Sequence, residues 1–275
     1  MELQVYKDAQ ELSQAAAKWI AGLIAETLKV HDRFTIALSG GSTPKLLHKI
    51  LAAPPCKDQI DWSKMHIFWG DERAVPFEDQ RNNAKMAYDT LLNFVQVPPS
   101  QIHVMRTDIG PEESAAEYEK ILHQYFDAIP GGSGPTAATR PSASTTGTTS
   151  PSGSAAATSA PATLPNSFDL VLLGMGDDGH TLSLFPGTAI VHEEKAWAKA
   201  FFLAAQDMYR ITLTKTIVNR AAHIAFLTTG TGKAHALKEV LKGAYNPDLY
   251  PSQEIKPVNG ELHWFVDEAA AASLK

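Results

Sequence analysis

The sequence predicts an α/β fold, a mainly parallel sheet flanked by helices, and three recurring observations predict it. Short apolar runs of strand length repeat along the chain, each run ends in a glycine-rich or polar loop, and a helix-forming segment follows most loops. With 275 residues, 44% hydrophobic and 20% charged, the chain has an ordinary globular balance and enough length to bury the core of one large domain. A single domain over residues 1–275 is the expected organisation.

From Asp8 to Leu28 the apolar residues Leu12, Ala15, Ala16, Trp19, Ile20, Leu23 and Ile24 recur at helical spacing and open the domain with an amphipathic helix. Phe34 to Leu38 reads as a buried strand. It ends at Ser39-Gly40-Gly41-Ser42-Thr43-Pro44, with Thr43 as helix N-cap and Pro44 at the first helical position, and Lys45 to Leu51 reads as the helix. Met65 to Trp69 is a second strand feeding Gly70-Asp71-Glu72-Arg73, and Pro111 to Ala128 is helical. Phe168 to Leu173 feeds the segment Gly174-Met175-Gly176-Asp177-Asp178-Gly179-His180. His223 to Thr228 feeds Thr229-Gly230-Thr231-Gly232-Lys233 and a helix, and Leu262 to Val266 feeds Asp267 and a terminal helix. Ligands of open parallel sheets bind beyond the carboxyl ends of the strands, where these polar loops fall. The candidate chemistry is therefore expected along one edge of the sheet.

Gly131 to Asn166 departs from this grammar. It is built almost wholly of Gly, Ser, Thr, Ala and Pro, with Arg140 its only charged residue, and it buries too little apolar surface to offset its chain entropy. Residues 131–166 are expected to form a flexible insertion within one surface loop.

Formal net charge is −6, which argues against the broad cationic face of a nucleic-acid binder, so an anionic ligand would need a local cluster of cations. The single cysteine, Cys56, has no intrachain disulfide partner, and Pro54 and Pro55 predict a surface loop around it in a protein of a reducing compartment. Met1 to Gln10 carries Glu2 and Asp8 without a basic or apolar leader region, and no run approaches the roughly 18 apolar residues of a membrane span. The expectation is a cytoplasmic protein with neither membrane nor nucleic-acid partners.

Several side chains are candidates for chemistry. Gly40, Gly41 and Ser42, between a strand and a helix, suit either a phosphate cradle of backbone N–H groups or a simple tight turn. Asp71, Glu72 and Arg73 read as a solvated charged turn, or as a site in which Arg73 grips phosphate and Asp71 orients a histidine or water. His180, between flexible backbone and two carboxylates, suits a general base for water, a turn cap, or a metal ligand with Asp177 and Asp178. No second histidine or cysteine stands at ligand spacing in that segment, so no metal is expected. Arg210 and Lys233 are either surface cations or partners for the same anion.

Taken in order, these segments resemble the 6-phosphogluconolactonase family, related to glucosamine-6-phosphate deaminase. The resemblance rests on Ser39–Pro44, on Trp69–Pro76, on Arg81-Asn82-Asn83 with Met86, and on Leu173–Pro186 with its Gly-Asp-Asp-Gly-His-Thr-Leu-Ser-Leu-Phe-Pro run. It continues through Arg210–Asn219, Thr229–Lys233 and Pro251–Asp267, leaving out residues 131–166, while Thr216 stands where proline is expected. The resemblance implies a Rossmann-like fold, no cofactor, and hydrolysis of 6-phosphogluconolactone, as a carboxylic ester hydrolase of the pentose phosphate pathway. It implies a small-molecule substrate and a monomer or weak homo-oligomer. By position, it makes His180 the general base with Asp71 as its assistant, and gives the 6-phosphate to Arg73, Arg210, Lys233 and the Gly40, Gly41, Ser42 backbone. A deaminase or isomerase, and a catalytically silent sugar-phosphate sensor, are the alternatives. The deaminase typically has an Ile-Ala-Phe-Asn-Glu-Pro type of run where this chain has Thr181 to Pro186, and an aromatic where it has Arg73.

Overall fold

Residues 1–127 and 167–274 are described in a computed structural model; the expected insertion of residues 131–166 lies outside them. Nine strands alternate with seven helices among the described residues: β1 (Glu2–Tyr6), α1 (Ala9–Thr27), β2 (Phe34–Leu38), α2 (Ser42–Leu51), α3 (Cys56–Gln59), β3 (Met65–Trp69), β4 (Asp71–Arg73), α4 (Asn83–Thr90) and α5 (Pro111–Phe126). Beyond residue 166 come β5 (Leu170–Leu173), β6 (Ala198–Leu203), β7 (Met208–Leu213), α6 (Lys215–Val218), β8 (His223–Thr228), α7 (Ala234–Lys242) and β9 (Glu261–Asp267). Six strands form one sheet in the order β1-β9-β8-β5-β2-β3, and every pairing in it is parallel.

Strands covered on both faces read as continuous apolar runs, which is why Phe34–Leu38 and Leu170–Leu173 lack polar alternation and are buried at every position. Successive side chains still part to opposite faces. Ile36, Leu38, Leu170 and Leu172 meet α1, α2 and α4, whereas Ala37, Val171 and Leu173 meet α5, α6 and α7. On the second face Phe226 and Trp264, cross-strand partners in β8 and β9, stack with ring centroids 3.9 Å apart. The helix expected from Asp8 starts where Asp8 caps it, its carboxylate accepting the Glu11 N–H at 2.9 Å.

The parallel sheet was legible; a second sheet was not. β4, β7 and β6 form an antiparallel three-stranded sheet beside the first. Gly70 joins the two, donating its N–H to Leu38 O and accepting the Leu213 N–H, both at 2.8 Å. Asp71, Glu72 and Arg73 thus continue the chain beyond the carboxyl end of β3 as a strand, not as a solvated turn, and Arg210 lies inside β7. Three charged residues in a row mask the strand signal, which rests on apolar periodicity.

Other expectations need correction. Cys56 opens the one-turn helix α3 and is 8% exposed, because the turn after Pro55 folds the thiol into the α1 to α4 face of the core. The α2 N-cap is Gly41, at φ 105°, so Thr43 and Pro44 stand inside the first turn; the Thr43 hydroxyl bonds instead to the Thr229 hydroxyl, 2.8 Å away. Among the described residues no helix is long and apolar enough to cross a membrane.

Glu72 shows what a charged side chain does inside this core. It is 1% exposed, and its carboxylate accepts the backbone N–H groups of Arg73, Asn83 and Ala84 at 2.7–2.8 Å, the last two at the start of α4. Burial pushes its carboxyl up to about 7, against those three hydrogen bonds. Glu72→Gln replaces one acceptor oxygen with an NH2 group that faces N–H donors. The expected cost is about 1–3 kcal/mol of stability, read as a lower urea midpoint at unchanged m-value.

Candidate active site

Three loops at the carboxyl edge of the parallel sheet and two strands of the second sheet supply the site. The loop after β5 is shaped around His180. The Gly176 N–H donates to His180 O at 2.8 Å, and the Thr181 hydroxyl closes the turn on Gly174 O at 2.8 Å. His180 Nδ1 lies 2.6 Å from Asp178 Oδ1, which also accepts the His180 backbone N–H at 3.1 Å. A carboxylate only accepts, so Nδ1 carries the proton and the lone pair of the neutral ring is on Nε2. Burial raises the Asp178 carboxyl, but its bonds and attraction to His180 outweigh this and hold it below the usual carboxylate range. A Cβ at Gly176 would meet His180 Nδ1 at 2.1 Å and Asp178 Oδ1 at 2.3 Å, so only glycine lets this pair lie on the backbone. The imidazole face stacks on Phe185 at 4.1 Å.

Asp71 is elsewhere. Its Oδ2 accepts the Ser183 hydroxyl at 2.6 Å and lies 3.7 Å from Arg210 Nη1, and Asn83 Nδ2 reaches its Oδ1 at 3.3 Å. The carboxylate on the His180 ring is that of Asp178, and Asp71 faces Arg210. The pairing followed from where Asp71 falls, on the second sheet facing β7.

Arg73 and Arg210 are cross-strand partners of β4 and β7, so both guanidinium groups leave the same face of the second sheet. Arg210 is 5% exposed; its Nη2 donates to Gln206 Oε1, its Cζ lies 5.5 Å from the centre of the Phe185 ring, and burial lowers its pKa. Arg73 Nη1 donates to Arg81 O at 2.8 Å. The Nε atoms of both arginines are buried without a hydrogen-bond partner among the described residues. Two like charges side by side with orphaned donors are an arrangement that an anion would satisfy.

The remaining candidates are tied to this centre through contacts. Gly40 lies against Asn83, with its absent Cβ 2.0 Å from Asn83 Oδ1, and Asn83 in turn donates to Asp71 O at 2.9 Å. Gly41 and Ser42 begin α2, whose Thr43 is bonded to Thr229 in the loop that carries Lys233. Asp267 holds that loop by accepting the Gly230 N–H at 3.0 Å. Lys233 Nζ pairs with Asp177 Oδ1 at 2.5 Å, joining the loop after β8 to the one after β5. The circuit closes through Phe185, which touches both His180 and Arg210.

Ser183, Gln206 and Phe185 escaped sequence reasoning. Ser183 and Phe185 lie within the Thr181–Pro186 run, where a 0% exposed serine two residues before an aromatic carries no periodic signal. Gln206 lies in the turn between β6 and β7, where no motif marks it.

Residues 7–264 match the model of a family described as glucosamine-6-phosphate isomerases/6-phosphogluconolactonase. The chain belongs to this family. Among its relatives are a protein of Oryza sativa named probable 6-phosphogluconolactonase 4, chloroplastic, 34% identical over 100% of this chain and 77% of its own length, and a 6-phosphogluconolactonase of Nostoc, 35% identical over 99% and 98%. The fold is shared with the solved 6-phosphogluconolactonase of Trypanosoma cruzi, at TM-score 0.77 and 24% identity over 100% of this chain and 97% of that one.

Proposed function

We propose that the chain hydrolyses 6-phospho-D-glucono-1,5-lactone to 6-phosphogluconate, a step of the oxidative pentose phosphate pathway. The observation that carries the reading is one aromatic ring, Phe185, holding a carboxylate-oriented histidine on one side of the site and a buried arginine on the other. Relatives named for this activity, matched over nearly the whole of this chain, support it.

Each residue then has a physical task. The 6-phosphate lies between Arg73 and Arg210, satisfying their orphaned Nε donors, with the Gly40 to Ser42 backbone and Lys233 at its margin. Phosphate binding fixes the lactone so that its carbonyl carbon faces His180. Asp178 holds Nδ1–H, and Nε2 takes a proton from water as the water oxygen attacks that carbon. A neighbouring N–H or cation stabilises the oxyanion. The tetrahedral centre collapses, the bond to the ring oxygen breaks, and the proton held on Nε2 passes to that oxygen. Water has then been added across the ester, and the acid ionises to the carboxylate. A lactone is an activated ester, so the route uses no nucleophilic serine and no cofactor. Cytoplasmic residence belongs to the same proposal, supported by a lone cysteine that has no disulfide partner.

Freshly generated 6-phosphogluconolactone, assayed at neutral pH with spontaneous hydrolysis subtracted, is expected to disappear many-fold faster with enzyme present, while glucosamine 6-phosphate is not deaminated. Turnover of glucosamine 6-phosphate alone would replace the lactonase with the deaminase of the same family, and binding of 6-phosphogluconate without any turnover would leave a sensor.

A further inference from the structure

The amino-terminal edge of the parallel sheet, opposite the site above, carries a cluster of side chains that the lactonase reaction does not use. His223 and Glu261 are the first residues of β8 and β9 and are cross-strand partners, His263 follows two residues on, and Glu2, the first residue of β1, pairs with His263. Residues at these registers point to one face of the sheet, the face covered by α1. Trp19 of α1 packs against both rings, with centroids 4.7 Å from His263 and, edge-on, 6.1 Å from His223.

We propose that His223, Glu261 and His263 form a binding site for a divalent transition-metal ion of the zinc class. Their donor atoms lie within 4.8 Å of one another. Glu261 Oε2 is 3.2 Å from His263 Nε2 and 3.5 Å from His223 Nδ1. Adjacent donors of a tetrahedral zinc ion, with bonds near 2.0–2.1 Å, are about 3.3 Å apart. Two edges of such a tetrahedron are therefore already formed.

The surroundings fit the chemistry. Glu2 Oε2 lies 3.4 Å from His263 Nδ1, the nitrogen that does not face Glu261. A carboxylate behind one ring nitrogen keeps the proton there and turns the lone pair of the other toward a metal. His223 Nδ1 is buried with no hydrogen-bond partner among the described residues, so that nitrogen is left without a protein donor or acceptor that a metal would have to displace. The Glu261 side chain is 67% exposed, so an ion enters from solvent and a water completes the coordination. Two imidazoles and one carboxylate suit zinc over the harder calcium and magnesium, which take oxygen donors. Bound there, the ion would pin β1, β8 and β9 together at the end of the sheet remote from His180, so the site does not depend on the lactonase reading.

The test is calorimetric titration of the chelator-treated full chain with ZnCl2 alone, with cobalt substitution followed by visible absorption. Expected are one saturable equivalent of zinc, a four-coordinate cobalt spectrum and a rise in melting temperature. His223→Ala and Glu261→Gln are each expected to weaken binding at least about tenfold, and Glu2→Gln by about 10–100-fold. Glu261 is exposed, so its variant keeps the fold, checked by circular dichroism. His180→Ala should retain the zinc equivalent. The proposal is overturned if no saturable equivalent appears, if His223→Ala and Glu261→Gln bind as the parent does, or if the equivalent disappears with His180.

Discussion

His180→Ala lowers the rate of lactone hydrolysis by about 10²–10⁴-fold at neutral pH, the range that a positioned general base contributes. The loss falls on kcat, while binding of 6-phosphogluconate changes little, because the phosphate partners Arg73 and Arg210 belong to the second sheet and are held by Arg81, Gln206 and Asp71, not by the Asp178 that supports the imidazole. Asp178→Asn gives a smaller loss of the same kind. Its amide can still meet Nδ1 but permits the other tautomer, in which Nε2 carries the proton and cannot accept one from water. Equal rates for parent and His180→Ala, after subtraction of spontaneous hydrolysis, would remove the general base from the mechanism.

The strands of the parallel sheet could be read from the sequence where burial on both faces leaves them mainly apolar, and Phe34–Leu38, Met65–Trp69 and His223–Thr228 have the bounds that this predicts. β1 was missed for the converse reason. At the edge of the sheet its residues are exposed or half-buried, and Glu2-Leu3-Gln4-Val5-Tyr6 lacks the continuous apolar run of a covered strand. The second sheet stayed hidden because its function inverts the apolar rule: β4 is Asp-Glu-Arg, and each charge is accommodated by a partner remote in sequence, Ser183 for Asp71 and the start of α4 for Glu72. The same limit holds for Asp71. Sequence position brings Asp71 to the correct edge of the sheet, but which of three carboxylates meets the imidazole is decided by the fold of the Gly176–His180 turn, a contact between residues two apart that Gly176 makes room for. Arg73 and Arg210, 137 positions apart, become partners only through the register of two strands.

Arg210 and Asp71 give the second large effect, and their variants separate two roles for the same carboxylate. Arg210 is buried beside Phe185, and its guanidinium, with an unpaired Nε, is read as a phosphate partner. Truncating a buried, hydrogen-bonded charge costs about 2–5 kcal/mol, so Arg210→Ala is expected to lower kcat/KM by about 10²–10³-fold, mainly through KM. Arg210→Lys recovers only part of this, since an ammonium lacks the planar fork that binds two phosphate oxygens. Asp71→Asn removes the charge that faces Arg210 while keeping an acceptor for Ser183. If Asp71 anchors Arg210, this variant raises KM for lactone, leaves kcat within a few fold, and melts at a lower temperature that phosphate or 6-phosphogluconate partly restores, because the bound anion compensates the buried guanidinium. If Asp71 instead assisted His180, the loss would fall on kcat with KM unchanged, and no anion would restore it. Steady-state kinetics of these three variants, with melting curves taken with and without 6-phosphogluconate, distinguish an arginine anchor from a histidine partner.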